Sequence, residues 1–197
     1  MTSIAFSRRA AEREVLVADS RTNDDPRAHA IRDRYLALFG GPEVPVPVEA
    51  IAEDLLGLRI SQSDDLGDCS GMLLPYERRI LLNATESPAA DPELRRQRFT
   101  VAHEIGHWVC HCLEGKRAEQ PTAMCRRQDL RQDADRMIER EANVFAAELL
   151  MPEAAVREAW SRQQDVDALA RTFDVSPLAL GWRLYSFDLA PRPDVVA

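Results

Sequence analysis

No stretch of this 197-residue chain approaches the roughly 20 consecutive apolar residues that cross a bilayer. The opening MTSIAFSRRAAEREVLVADS also lacks the charged, apolar and cleavage regions of a secretory signal. A cytoplasmic protein with no membrane partner is therefore expected. Cysteine is sparse, and Cys69, Cys110, Cys112 and Cys125 form no C-x-x-C pair, which leaves a zinc ribbon or thioredoxin-like site without support. Free, mostly buried thiols are the expectation in a reducing compartment. Cys110 and Cys112, two apart on an expected helix, would point to opposite faces. Basic residues are outnumbered: 25 Lys and Arg against 33 Asp and Glu leave a net charge of −8. That balance argues against a protein that coats nucleic-acid phosphates or anionic lipid. There is no internal repeat and no low-complexity run, and the length suits one domain with one core.

Residues 1–27 are polar, end in RTNDDPR, and are expected to form a loosely ordered tail holding at most one short helix. A helix is expected over 28–39, stopped by Gly40, Gly41 and Pro42. PEVPVPV should be extended, because each proline fixes its own φ and biases its predecessor away from helix. A short helix over 48–56 carries Val48, Ile51, Ala52 and Leu55 at helical spacing. LRIS, SGMLLPY and RRILLNA then read as strands of a small antiparallel sheet. Asp91 and Pro92 make a cap and first-turn pair for a helix running to about residue 115, with Leu94, Val101, Ala102, Ile105, Val109 and Cys112 as its buried stripe. A polar loop over 115–132 precedes a helix from Asp133 that Met151-Pro152 ends; helices over 153–162 and on either side of a 174–176 turn complete an α+β chain.

Histidine is scarcer than charge, at four residues, yet FTVAHEIGHWVCH places His103, Glu104 and His107 as H-E-x-x-H on one expected helix. Residues four apart on a helix are separated by about 400°, so His103 and His107 project from one face and can offer nitrogens to one ion. Glu104, about 100° around from His103, falls beside such an ion, where a general base for water belongs. Catalytic zinc takes three protein ligands and keeps a position for water. In IEREANVFAAELL, Glu139 and Asn143 share a face flanking Ile138, Ala142, Phe145, Ala146, Leu149 and Leu150. Glu139 is thus a third-ligand candidate, and Asn143 can hold a ligating His by its second nitrogen. Glu141 competes but lies about 200° from Glu139, toward solvent or an arginine. Two histidines and a carboxylate suit Zn²⁺, and also Mn²⁺ or Fe²⁺.

RQRFTVAHEIGHWVCH together with IEREANVFAAELLMP resembles the ImmA/IrrE family of metallopeptidases, with weaker similarity in SGMLLPYERRILLNA and ALARTFDVSPLALGWRL. The resemblance covers about residues 28–188 and suggests a metallopeptidase domain over 28–190, in which 165–188 form structural terminal helices of helix-turn-helix-like appearance. It implies a zincin-like fold with the sheet packed on the motif helix. It further implies that His103, His107 and Glu139 bind zinc, that Glu104 is the catalytic base, and that the substrate is a helix-turn-helix transcriptional repressor. Two other classes stay open: a metal-stabilised regulatory or toxin-antitoxin binding module without turnover, and a DNA-binding regulator. Direct nucleic-acid binding is not expected, since PLALGWRLYSF offers only Arg183 to base edges.

Other residues carry weaker expectations. RRILLNA is a candidate edge for an extended peptide. Tyr76 and Tyr185 are candidate oxyanion donors, though each reads more simply as a core-edge residue with a wet hydroxyl. His111 is read as a helix C-terminal residue favoured by the dipole, because a fourth ligand would close the site to water. Arg95, Arg96 and Arg98 read as a solvated face, and His29 carries no signal.

Overall fold

The computed structural model describes residues 24–86, 91–113 and 133–193. The expected tail, up to residue 23, and the expected loop over 115–132 lie outside the described residues, as does Cys125. The first helix, α1 (Pro26–Phe39), begins two residues before the expected start. Asp25 is its N-cap, accepting from the Arg27 N–H at 2.9 Å, and Pro26 fills the first helical position, where no N–H is needed. Gly40, at φ 70°, ends it by donating to the Leu36 carbonyl.

PEVPVPV is not simply extended. The chain bends over residues 43–45, where the Val44–Pro45 peptide is cis, and Val46 and Val48 both lie in the core. Helix α2 (Val48–Ala50) widens at once into a π turn over Ile51–Leu55, with Leu56 N–H reaching the Ile51 carbonyl at 3.1 Å.

Three strands follow: β1 (Arg59–Ser63), β2 (Gly71–Leu74) and β3 (Arg79–Asn83). The sheet is mixed and not antiparallel throughout. Its order is β1-β3-β2, with Leu73 opposite Ile80 in an antiparallel pair and Ile60 opposite Ile80 in a parallel one. Two chain reversals return β3 to the direction of β1, so once β2 lies on the far side of β3, the β1–β3 pair must be parallel. Asn83 pins the connection that makes this crossing, donating to the carbonyls of Gly67 and Cys69. Consequently RRILLNA is the central strand and offers no edge; the edges belong to β1 and β2.

Helix α3 (Asp91–His107) continues as a second π turn, Trp108–Cys112. Helix α4 (Asp133–Leu150) packs along it, and Val101, Ala102, Ile105, Phe145, Ala146 and Leu149 lie in one core with Leu73 and Ile80 of the sheet. Pro152 separates α4 from α5 (Glu153–Arg162). The caps Asp165 and Ser176 start α6 (Val166–Phe173) and α7 (Pro177–Ser186), and Asp174 in the left-handed region makes the turn between them. No described helix is long and apolar enough to cross a membrane.

Arginine is used internally here. Arg98 donates to the carbonyls of Val46 and Asp174 and pairs with Glu49 and Asp174, while Arg95 pairs with Asp174. Both are mostly buried, so this side of α3 clamps the chain before α2 and the α6–α7 turn instead of facing water. Arg183 is more deeply placed, at 1% exposure. Its guanidinium pairs with Glu148 of α4, donates to the Met151 carbonyl at 3.0 Å and lies over the Phe187 ring.

Candidate metal centre

Helix α3 can carry a polar motif through the core because α4 crosses it at close range. Gly106 sits at the crossing: a Cβ there would meet the Ala142 carbonyl oxygen at 2.9 Å and the Ala142 Cα at 3.0 Å. Glycine inside a helix costs about 1 kcal/mol against alanine, and that local penalty is the sequence signal of a close approach. Gly71 plays the same part in β2, since a Cβ there would collide with the Thr100 methyl and fall 3.4 Å from Glu104 Oε1. Gly106→Ala should push α3 and α4 apart, with a stability loss of about 1–3 kcal/mol by denaturant unfolding. An unchanged midpoint would mean that the crossing relaxes freely.

His103, His107 and Glu139 are brought together at this crossing. His103 Nε2 and His107 Nε2 are 2.9 Å apart, and the two Glu139 oxygens lie 3.3 Å and 3.2 Å from them. The imidazoles meet edge to face, at an interplanar angle of 89°. Asn143, one turn beyond Glu139, places its Oδ1 2.9 Å from His103 Nδ1, which makes Nδ1 the proton-bearing nitrogen and leaves Nε2 a lone pair. Burial alone would raise the Glu139 carboxyl, but the adjacent His103 and His107 rings, when protonated, hold it well below the usual carboxylate range.

These spacings test whether a metal fits. An ion bonded to nitrogen and oxygen at about 2.0–2.1 Å on tetrahedral angles sets its ligand atoms roughly 3.3 Å apart. The two Nε2 atoms here are 2.9 Å apart, each is 3.2–3.3 Å from one of the two Glu139 oxygens, and one ligand atom from each of the three residues lies within 4.8 Å of the others. The residues present fit a small divalent ion.

Glu104 stands outside this cluster. It is 1% exposed, faces β2 at Gly71, and its Oε2 has no hydrogen-bond partner among the described residues. A buried carboxylate oxygen left free costs enough that it calls for a reason. Glu141 points outward as expected. His111 differs from expectation: it is buried, and burial first, then neighbouring His107, pushes its pKa down, so a charged partner for the helix dipole is not what the fold provides. Tyr76 is 63% exposed in the β2–β3 turn, and Tyr185 is exposed on α7 beside Trp182. Both match the wet-hydroxyl reading.

A second group of metal-ligand residue types comprises Asp24, His29 and Glu148, with His29 Nε2 3.0 Å from both carboxylates. Here Glu148 is already committed to an ion pair with Arg183, which leaves it less free to hold a divalent ion.

The family described as the IrrE N-terminal-like domain matches residues 54–185, a span that takes in the sheet, the motif helix and α4 to α7. The radiation response metalloprotease IrrE of Deinococcus radiodurans is 36% identical in an alignment 108 residues long, which covers 49% of this chain and 26% of that protein. The chain thus matches only about a quarter of that relative's length. A solved Mycobacterium tuberculosis transcriptional regulator superposes over 88% of this chain and 51% of its own, with a TM-score of 0.55 at 18% identity, a likeness of fold alone. With the family match spanning more than half of its residues, the chain belongs to the IrrE N-terminal-like family of metallopeptidases.

Proposed function

We propose that the chain is a zinc-dependent endopeptidase that cleaves a regulatory protein, a helix-turn-helix transcriptional repressor being the substrate class suggested by the family resemblance. The observation that carries this reading is the convergence of His103, His107 and Glu139 on one point, with the free Glu104 carboxylate on the neighbouring helical position. His103, held by Asn143, and His107 would bind the ion with Glu139. A bound zinc ion supplies Lewis acidity, polarising a carbonyl oxygen and acidifying water to a pKa of about 7. Glu104 takes the proton of the attacking water on Oε2 and returns it to the leaving amine. The edge strand β2 offers its free side to an extended peptide, and Gly71 brings that strand against Glu104.

Metal should be found at one per chain after purification without added ion, and Zn²⁺ is the species expected. Adding Zn²⁺ to stripped protein at about a hundred times its Kd should stabilise the fold by about 2.7 kcal/mol, read as a rise in melting temperature. A folded protein that takes up no metal and shows no shift with Zn²⁺, Mn²⁺ or Fe²⁺ would sink the catalytic reading. The non-catalytic alternative shares the metal and is separated only by turnover.

A further inference from the structure

His107 is fully buried, and its two ring nitrogens are treated unequally. Nε2 faces His103 and Glu139, whereas Nδ1 has no hydrogen-bond partner among the described residues. An imidazole that binds metal through Nε2 carries its proton on Nδ1, and that N–H is almost always held by an acceptor that fixes the ring. His103 has Asn143 for this purpose. His107 has no such side chain from α4.

The matching half lies one turn further along. His111 is also buried, and its Nε2 likewise has no partner. The Ile138 backbone hydrogen-bonds this ring, and the Glu141 carboxylate lies 3.9 Å from Nδ1. Since Nε2 has no partner among the described residues, the Ile138 hydrogen bond falls on Nδ1, which puts the proton there and leaves Nε2 a lone pair. Its ring centre is 5.7 Å from that of His107, with the planes tilted by 47°. The π turn over Trp108–Cys112 holds His111 inward here, with Leu113 N–H reaching back five residues to the Trp108 carbonyl. A buried donor without an acceptor therefore neighbours a buried acceptor without a donor.

We propose that His111 is a positioning residue for the metal centre: its Nε2 lone pair accepts, through one bridging water, the Nδ1–H of His107 and so fixes His107 with Nε2 aimed at the shared site. Neither nitrogen has a partner within direct hydrogen-bond distance among the described residues, and a water between two polar groups holds them nearly as well. The chain then runs from Ile138 and Glu141 on α4 through His111 to His107, so both ligating histidines are oriented from α4. This inference rests on the metal reading of His103, His107 and Glu139.

The test uses Zn²⁺ itself, by competition with a chelator, on wild type, His111→Leu and His111→Gln. Leucine fills the space without an acceptor; glutamine restores one near the position of Nε2. Zinc affinity should fall by about 10–100-fold in His111→Leu and stay within a few-fold of wild type in His111→Gln. The metal-free melting temperature of His111→Leu should be unchanged or higher, because an apolar residue replaces an unsatisfied polar one. A residue that mattered only for packing would move that temperature and leave zinc affinity alone. If the leucine variant does not fold, nitrogen-15 histidine spectra of zinc-loaded wild type decide, and a slowly exchanging proton on His107 Nδ1 is expected. Equal zinc affinity in wild type and His111→Leu, a glutamine variant weaker than about tenfold, or a freely exchanging His107 proton each overturns the role of His111. Wild-type protein that binds no zinc overturns the metal reading instead.

Discussion

Glu104→Gln should keep the fold and the metal and lose turnover, by about 10²–10⁴-fold, the usual contribution of a general acid-base group. The substitution changes one oxygen for an NH₂ group of nearly the same size in a site with 1% exposure, so packing is conserved. Glu104 lies outside the His103, His107 and Glu139 cluster, so the ligand set is untouched. What is removed is the proton acceptor, since an amide nitrogen has no lone pair to take a proton from water. Stability should hold or rise, because a buried carboxylate oxygen without a partner is costly in the native protein. The measurement is metal content per chain alongside cleavage of a co-expressed helix-turn-helix repressor. Loss of metal would make Glu104 a ligand and not a base. Cleavage at the wild-type rate would remove it from the chemistry, and a binding module would be indifferent to the change.

The helical parts of this centre were legible because their signals are local. His103 and His107 sit four apart, and Glu139 and Asn143 repeat that spacing on a second amphipathic helix, so each pair declares its face without knowledge of the fold. The caps Asp165 and Ser176 and the break at Pro152 are equally short-range. Strand order is different. Hydrophobic alternation in SGMLLPY and RRILLNA gives strands and inward faces, but nothing in the period says that β2 crosses beyond β3. The period alone thus lets the central strand pass for an edge and carries no sign of the parallel pair.

The depth of polar side chains was also out of reach, for a related reason. Arg95 and Arg98 look like a charged helix face until Glu49, Asp174 and the Val46 carbonyl arrive from distant segments to receive them. His111 looks like a helix terminus until the π turn carries it against α4. In each case the partner, and not the residue type, decides burial, and the partner is tens of residues away or one turn out of α register. The two glycines were the exception that could have been read: Gly106 and Gly71 interrupt otherwise favourable elements, and each marks where a neighbour approaches the metal centre.

Arg183→Met carries the largest stability effect expected outside the metal centre, a loss of about 3–5 kcal/mol in denaturant unfolding. Arg183 and Glu148 are both 1% exposed, and they join α7 to α4 across the core. Burial pulls the guanidinium below its ordinary pKa while Glu148 opposes the fall, so each ion depends on the other for tolerance of the interior. Removing the arginine leaves the Glu148 carboxylate, among the described residues, with the His29 ring 3.0 Å away and deprives the Met151 carbonyl of its donor. The cost is therefore that of an uncompensated buried charge and exceeds any net worth of the pair. Replacing both residues by methionine should recover most of the loss, since well-packed apolar side chains of similar volume often match a buried ion pair. If the double variant is no more stable than Arg183→Met, the arginine acts through its stacking on Phe187 and its bond to Met151, and not through charge. The same burial bears on nucleic-acid binding. A recognition helix must present its cations to base edges, and the arginine that α7 was expected to offer is committed to Glu148. Variants of Arg183 should thus alter unfolding while leaving any weak, salt-sensitive association with duplex DNA unchanged.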